Sequence, residues 1–217
     1  MGRFSAVLVF LLVNKSDKTI FNVGNVLVTV LLTKTAAKNS RYQTTQMEIE
    51  NSTLQDINTI FDLYEKARDF QRRKWIQNLW PVFESSMIEA EIASQQQWKL
   101  IINGEIACVW ATTFSDLKIW EGRNINPSLY IHRIATNPNF RGQNFVQKIV
   151  DWAKIYAKSN EKKFVRLDTC GRNQGLINHY GKCGFSFLGI WKLQDTEGLP
   201  QHYVGSEVCF FEIDLEA

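Results

Sequence analysis

From Met47 onward the apolar positions follow two periods, one of about 3.6 residues and one of about 2, and the switches between them outline a fold. Leu54, Ile57, Ile60, Phe61 and Tyr64 repeat at helical spacing behind a Ser52/Gln55 pair that reads as a capping box. A second helix is expected from Pro81, a residue tolerated in a first helical turn, through Phe83, Met87, Ile88 and Ile92. Residues 98–102 and 105–113 are strand-like runs around Asn103-Gly104, a strong hairpin signal. A loop with Trp120, Asn124, Asn126 and Pro127 leads to a strand over 129–136. After Asn137-Pro138-Asn139 a helix is expected from about Gly142, with Val146, Ile149, Val150, Ala153, Tyr156 and Ala157 on one apolar face. A strand over 164–169 follows, then a helix capped by Asn173, carrying Leu176, Ile177 and Tyr180 and ended by Gly184. Strands over 185–191 and 208–213 close the pattern. Helices, a hairpin and a strand–helix–strand unit together predict a mixed α/β sheet of the α+β kind.

Residues 1–46 read differently. Two apolar runs, 6–13 and 26–32, are separated by polar turns, and neither reaches the roughly 18 apolar residues of a membrane span. Arg3 before the first run faintly suggests a signal peptide, but no small-residue cleavage site follows. A weak targeting segment, an extra strand pair or an upstream extension with the functional start at Met47 all fit. We favour the last, because the pattern from Met47 is complete in itself; residues 47–217 then form one domain. The intact mass of the protein from its native source decides this.

Composition narrows the function classes. Hydrophobic residues are 45% and charged residues 22% of the chain, as in ordinary globular proteins. The net charge of +3 is uneven: residues 1–46 hold six basic side chains and one acid, which leaves 19 basic against 21 acidic residues in 47–217. A domain without a positive field argues against nucleic-acid binding. Cys108, Cys170, Cys183 and Cys209 form no CxxC pair and read as reduced thiols of a cytoplasmic protein. Three separated histidines and scattered cysteines show no metal-ligand spacing, so no metal is expected.

The chemistry concentrates in residues 130–185. Arg141-Gly142-Gln143-Asn144-Phe145-Val146 lies between a strand and a helix, where unpaired N–H groups and the positive end of the helix dipole suit a pyrophosphate. Ile134-Ala135-Thr136, Pro138 and Arg141-Gly142, followed by Asn173 and the Tyr180/Gly184-Phe185 spacing, resemble the GNAT acetyltransferase superfamily. The resemblance covers about residue 47 to the C-terminus and is most specific over 130–185. It implies a central, mostly antiparallel sheet in which the strand over 130–136 bulges and splays from the strand over 164–169. Acetyl-CoA is then the co-substrate, its pantetheine lying in the gap against the backbone of Ile134 and Thr136. Two amides in pantetheine make such ladder-type pairing physically sensible. Ala135, the turn 141–146 and Asn173 are the other implied cofactor contacts. The turn departs from the family at Asn144 and Val146, where small residues are usual; Asn tolerates unusual backbone angles, whereas Val146 narrows the approach.

The resemblance further implies Tyr180 as the general acid that protonates the departing thiolate, with the N–H around Ile134 polarising the thioester carbonyl. His132 is the candidate base. Strand alternation sets it on a face with Tyr130, Ile134 and Thr136, and an unperturbed imidazole titrates near ~6.5. Asp168, near a strand end, is a candidate for holding the substrate amine. His202 and Tyr203 in a late loop and Trp120 in an earlier one are the remaining substrate-binding candidates, and His179 reads as surface or packing. Cys170 is the weaker alternative as a nucleophile, since nothing places a base beside it. The expected activity is acetyl transfer from acetyl-CoA to a primary amine of a small molecule or peptide, by direct transfer. A catalytically impaired CoA-binding module with a regulatory or partner-binding role is the alternative that Val146 favours. Oligomeric state stays open, a homodimer being one arrangement the resemblance implies.

Overall fold

The computed structural model describes residues 18–23, 26–31, 46–74 and 78–217. Its frame is one sheet of nine strands, in the order β2-β1-β3-β4-β5-β6-β7-β9-β8. The strands are β1 (Lys18–Val23), β2 (Val26–Leu31), β3 (Met47–Asn51), β4 (Gln97–Ile102), β5 (Glu105–Thr113), β6 (Ser128–Thr136), β7 (Phe164–Cys170), β8 (Ser186–Lys192) and β9 (Glu207–Asp214). Two neighbouring pairs, β1/β3 and β6/β7, are parallel, and the rest are antiparallel. β1 and β2 form a hairpin beside β3; the first apolar run, 6–13, lies outside the described residues. The helices are α1 (Ile57–Arg73), α2 (Ser85–Ala93), the single turn α3 (Leu117–Trp120), α4 (Phe145–Ser159) and α5 (Gln174–Lys182).

Both sheet faces are covered, and the alternation of side chains says by what. Cys108 and Trp110 of β5 point to a core under α4 and α5, while Val109 between them points to a second core under α1 and α2. In the first core Ile149, Val150, Trp152, Ala153 and Ala157 of α4 lie against Leu100, Leu129, Ile131, Val165 and Phe211 of the sheet. A third cluster sets Ile119 and Trp120 of α3 on Tyr130, Val208 and Phe210. The four cysteines are free thiols. No helix among the described residues is long and apolar enough to cross a membrane.

Two helix starts differ from expectation. The box at the first helix is made by Thr53 and Asp56: the Thr53 N–H donates to the Asp56 carboxylate (2.7 Å), as does its hydroxyl (2.9 Å). Ser52 is instead buried, its N–H donating to the Gln97 carbonyl (2.8 Å) as a continuation of the sheet. α2 begins at Ser85, because residues up to an extended Glu84 (φ −73°, ψ 140°) are drawn inward. There Trp80 and Phe83 pack edge-on against each other and against Tyr64 of α1. The Asn103-Gly104 hairpin forms as expected, with both residues at positive φ (51° and 84°) as a type I′ turn requires.

Candidate active site

The site begins where the sheet fails to stay closed. β6 and β7 pair from Ser128/Phe164 to Ile131/Leu167, and beyond that point they separate. Just past the fork β6 bulges: Val109 of β5 faces Ala135 and Ala111 faces His132, so Arg133 and Ile134 together oppose Trp110. Arg133 carries the irregularity at φ 50°, a region costing roughly 1–3 kcal/mol for such a residue. It is tied down by an ion pair with Glu91 of α2 and lies 5.4 Å over the Phe83 ring.

The bulge resets the side-chain alternation. Before it, Leu129 and Ile131 face the α4 core and Tyr130 faces away; after it, Ile134 packs on the α4 core and Ala135 on the opposite one. The expectation that His132 shares a face with Ile134 and Thr136 is therefore corrected: one extra residue turns them to opposite sides. On the β7 side, the β6 edge beyond Ile131 has no strand partner among the described residues, and its backbone is open to an extended ligand.

A turn with two left-handed residues sits next to this edge. Gly142 has φ 82° and Asn144 φ 52°, ψ 50°, so the asparagine adopts the geometry that its side chain tolerates best. A Cβ on Gly142 would meet nothing within 4 Å, so here the glycine serves backbone conformation and open approach. α4 starts at Phe145, three residues later than expected. Its ladder opens with the Gln147 N–H donating to the Asn144 carbonyl (3.1 Å), which leaves the preceding N–H groups outside it. Arg141 lies over the Phe70 ring of α1 (4.9 Å) at the mouth of the same cleft.

That cleft, of about 1340 Å³, is lined by Ile134, Ala135, Thr136, Arg141, Gly142, Asn144, Phe145, Val146 and Asn173 from the expected cofactor set. It is large enough for an extended co-substrate and an acceptor together. Gln143 is exposed and not among its lining residues, and Phe145 is 4% exposed, its ring in the α4 core. Asn173 caps α5, its side-chain oxygen accepting from the Leu176 N–H (3.1 Å).

His132, Asp168, Tyr180, His202 and Tyr203 all line the cleft, joined by Asp116, which sequence reasoning did not single out. Asp116 leads into α3, where its N–H donates to the Asn124 side chain (3.0 Å) and a carboxylate oxygen lies 3.7 Å from His132 Nε2. That distance is too long for a hydrogen bond. Tyr203 donates its hydroxyl proton to Asp168 Oδ2 (2.8 Å). One ring nitrogen of His132 and one oxygen from each of Asp116 and Asp168 lie within 4.8 Å of one another, a convergence that three distant positions in the sequence did not disclose. Tyr180 packs on Phe211 (5.1 Å) and Phe185 (6.0 Å), on the α4/α5 side of the sheet.

Trp120 does not join them. It is fully buried between Tyr130 (5.4 Å) and Phe210 (5.0 Å), with the Arg166 guanidinium 4.6 Å over its ring. The α3 turn points it inward, so the aromatic-wall expectation is corrected; its neighbour Ile119 lines the cleft instead. His179, expected at the surface or in packing, also reaches the lining, its ring tilted against that of Tyr180 (5.9 Å).

Burial dominates the electrostatics. It raises Asp116 to about 6, and burial together with the Asp116 charge raises Asp168 to about 7. Burial and the Arg133 charge lower His132 to about 3, and the same two causes lower His202 to about 4. The expectation of a histidine titrating near neutrality is thereby corrected: in the free protein His132 is a neutral acceptor. Tyr180 is pushed up to about 12 by burial and by Asp168, so its phenol keeps its proton at neutral pH. Burial also raises Cys170, leaving a protonated thiol unsuited to nucleophilic attack.

Asp168 gives a stability prediction with a definite sign. Unfolded, it ionises near 3.8; folded, it holds its proton to about 7. The folded state thus binds more protons between those values, and this group lowers stability as pH rises through the window. Asp168→Asn removes the penalty, so thermal melts should show a larger gain in Tm at pH 8 than at pH 4.

The forked sheet, the bulge and the helix-capping turn define an acyl-CoA N-acyltransferase fold. The model of the acetyltransferase (GNAT) family matches residues 75–185, just over half of the chain, and the chain belongs to this family. The uncharacterized N-acetyltransferase YesJ of Bacillus subtilis is 30% identical over 74 residues, 34% of this chain and 41% of its own length. Streptothricin acetyltransferase of Escherichia coli is 33% identical over 60 residues, 28% of this chain and 34% of its own. The chain thus spans less than half the length of either relative. Among solved structures, a GNAT family acetyltransferase from Listeria monocytogenes superposes with a TM-score of 0.62 at 19% identity, covering 77% of this chain and 94% of the other. The yncA protein of Salmonella typhimurium, solved with its cofactor acetyl-CoA, gives 0.56 at 14% identity, covering 78% and 94%. At these identities the likeness is one of fold.

Proposed function

We propose that this chain transfers an acetyl group from acetyl-CoA to a primary amine of a small molecule or peptide, directly within a ternary complex. The fork between β6 and β7 carries the reading, because it ends in an unpaired strand edge beside a turn whose N–H groups from Gly142 to Val146 have no partner among the described residues. The residues fit the co-substrate: the β6 backbone at Ile134 and Thr136 offers ladder partners to its amides, and the 141–146 turn with the start of α4 receives its pyrophosphate. Gln143 contributes through its backbone, and Asn173 at the start of α5 lines the same cleft. Bound there, acetyl-CoA supplies an activated thioester.

The chain's own groups then divide the work. The Ile134 N–H polarises the carbonyl, and Tyr180 gives its proton to the leaving sulfur. Asp168, His202 and Tyr203 form the acceptor end. The sheet separates these roles: Tyr180 lies on the α4/α5 side, whereas His132 and Asp168 alternate to the other face. The fork is the opening through which the two halves meet.

Calorimetric titration with acetyl-CoA, followed by thiol release against a panel of amines, tests this reading. Binding with turnover of at least one amine is the expected result. Binding without turnover leaves a CoA-binding module, the alternative to which Val146 lends support. Failure to bind acetyl-CoA defeats both.

A further inference from the structure

We propose that Asp116, His132 and Asp168 form the seat of the acceptor nitrogen, which enters as a primary ammonium ion and yields one proton to the Asp168 carboxylate. This deepens the acetyl-transfer reading and rests on it.

Three separate elements build the seat: the segment after β5 supplies Asp116, β6 supplies His132 and β7 supplies Asp168. Their acceptor atoms lie within 4.8 Å of one another in the cleft. Three converging acceptors match the three N–H donors of a primary ammonium, each free to take one bond. Each carboxylate also carries an unsatisfied oxygen: Asp116 Oδ2 and Asp168 Oδ1 are buried and have no hydrogen-bond partner among the described residues. Buried carboxylate oxygens left without donors are costly, and a cationic donor is the ligand that relieves them. Asp168 is also oriented: Tyr203 occupies Oδ2, so Oδ1 is the oxygen that remains for the ligand.

The charge states agree with this geometry. Neutral His132 can accept at its unprotonated nitrogen, which a cationic imidazole could not do. Asp168, raised to about 7, is matched to taking a proton from a bound amine near neutral pH. The titratable groups around it are Asp116, His132, Cys170 on its own strand, Tyr180 on α5, and Tyr203 and His202 in the late loop, with Arg133 acting on both histidines.

The proton step balances. R–NH3⁺ and the Asp168 carboxylate become R–NH2 and the neutral acid, with one N–H bond broken and one O–H bond formed. The freed lone pair forms the C–N bond as the C–S bond breaks. The sulfur takes the Tyr180 proton, the tyrosinate recovers one from the acylated nitrogen, and Asp168 returns its own to solvent.

The test compares n-butylamine and 2-phenylethylamine with their N-methyl counterparts, on the unmodified protein, Asp168→Asn and Asp116→Asn. Acetyl-CoA binding and melting temperature are measured on all three. The N-methyl amines, which lack one donor, should lose about tenfold in kcat/KM. Asp168→Asn should lose about 100-fold in kcat together with the ionisation near pH 7 in the pH–rate profile, at unchanged acetyl-CoA affinity. Asp116→Asn should act mainly by raising the KM of the amine.

Equal rates for primary and N-methyl amines, or an Asp168→Asn profile that overlays the unmodified one, overturn the seat while leaving acetyl transfer standing. So does stoichiometric binding of Zn²⁺ or Mn²⁺ that Asp116→Asn abolishes, because the seat then belongs to a metal. Loss of acetyl-CoA binding by the unmodified protein overturns the underlying reading as well, and that titration tells the two failures apart.

Discussion

Tyr180→Phe is expected to lower kcat by about 10²-fold or more while acetyl-CoA binds as before, since that is the usual worth of a positioned acid. The phenol lies in the cleft against Phe211 and Phe185, and those ring contacts survive the loss of one oxygen. Melting temperature should therefore hardly move. Burial and the nearby Asp168 raise the phenol to about 12, so at neutral pH the proton is always present to give. The thiol that forms is more acidic than this phenol, so the proton passes to the sulfur only where the site stabilises the tyrosinate left behind. The variant should hence slow the chemical step, visible as a fall in kcat with little change in the KM of the amine. If single-turnover rates with acetyl-CoA and the best amine match those of the unmodified protein, Tyr180 has no part in proton transfer.

What could be read from the chain depends on how local the cause is. The Asn103-Gly104 turn, the Asn173 cap and the Gly184 stop were legible because each is settled by the torsions or side chain of one or two residues. The first helix start slipped by one residue because Ser52/Gln55 and Thr53/Asp56 are overlapping versions of one pattern. Burial of Ser52 against the Gln97 strand chose between them. The second start was late because Trp80 and Phe83 gain more by packing on Tyr64 than the backbone gains by one more helical turn. Tertiary packing decided both.

The site divides along the same line. Gly142, Asn144 and Tyr180 sit in a local motif, and all three line the cleft. Asp116 was missed because nothing around it marks chemistry; it matters only because β5 and β6 pair so that the segment beyond Thr113 arrives near His132. The face and protonation of His132 differ from expectation for a reason no spacing reveals, a two-for-one bulge at Arg133 together with desolvation. Trp120 went the other way. Its residue type suits a binding wall, but a one-turn helix spends it on the core.

The α4 core should show the largest stability effect. Trp152 is fully buried and stands at the centre of an aromatic group, 4.6 Å from Trp98, 5.2 Å from Trp110 and stacked at 5.0 Å on Tyr156. Trp152→Ala removes all three contacts and leaves a cavity that two large neighbouring rings cannot close, costing about 3–5 kcal/mol. For a chain of this length that corresponds to a fall in Tm of roughly 6–20 °C. Trp152→Phe separates packing from polarity. The indole N–H is buried without a partner among the described residues, so phenylalanine removes an unsatisfied donor while keeping a ring against Tyr156. Urea denaturation should place the Phe variant much nearer the unmodified protein than the Ala variant. Equal losses would mean that the N–H is satisfied by water and that the ring contacts are not the main source of the stability. Because α4 also begins at the 141–146 turn proposed to hold the pyrophosphate, loosening its packing should weaken acetyl-CoA binding in the Ala variant before the protein unfolds.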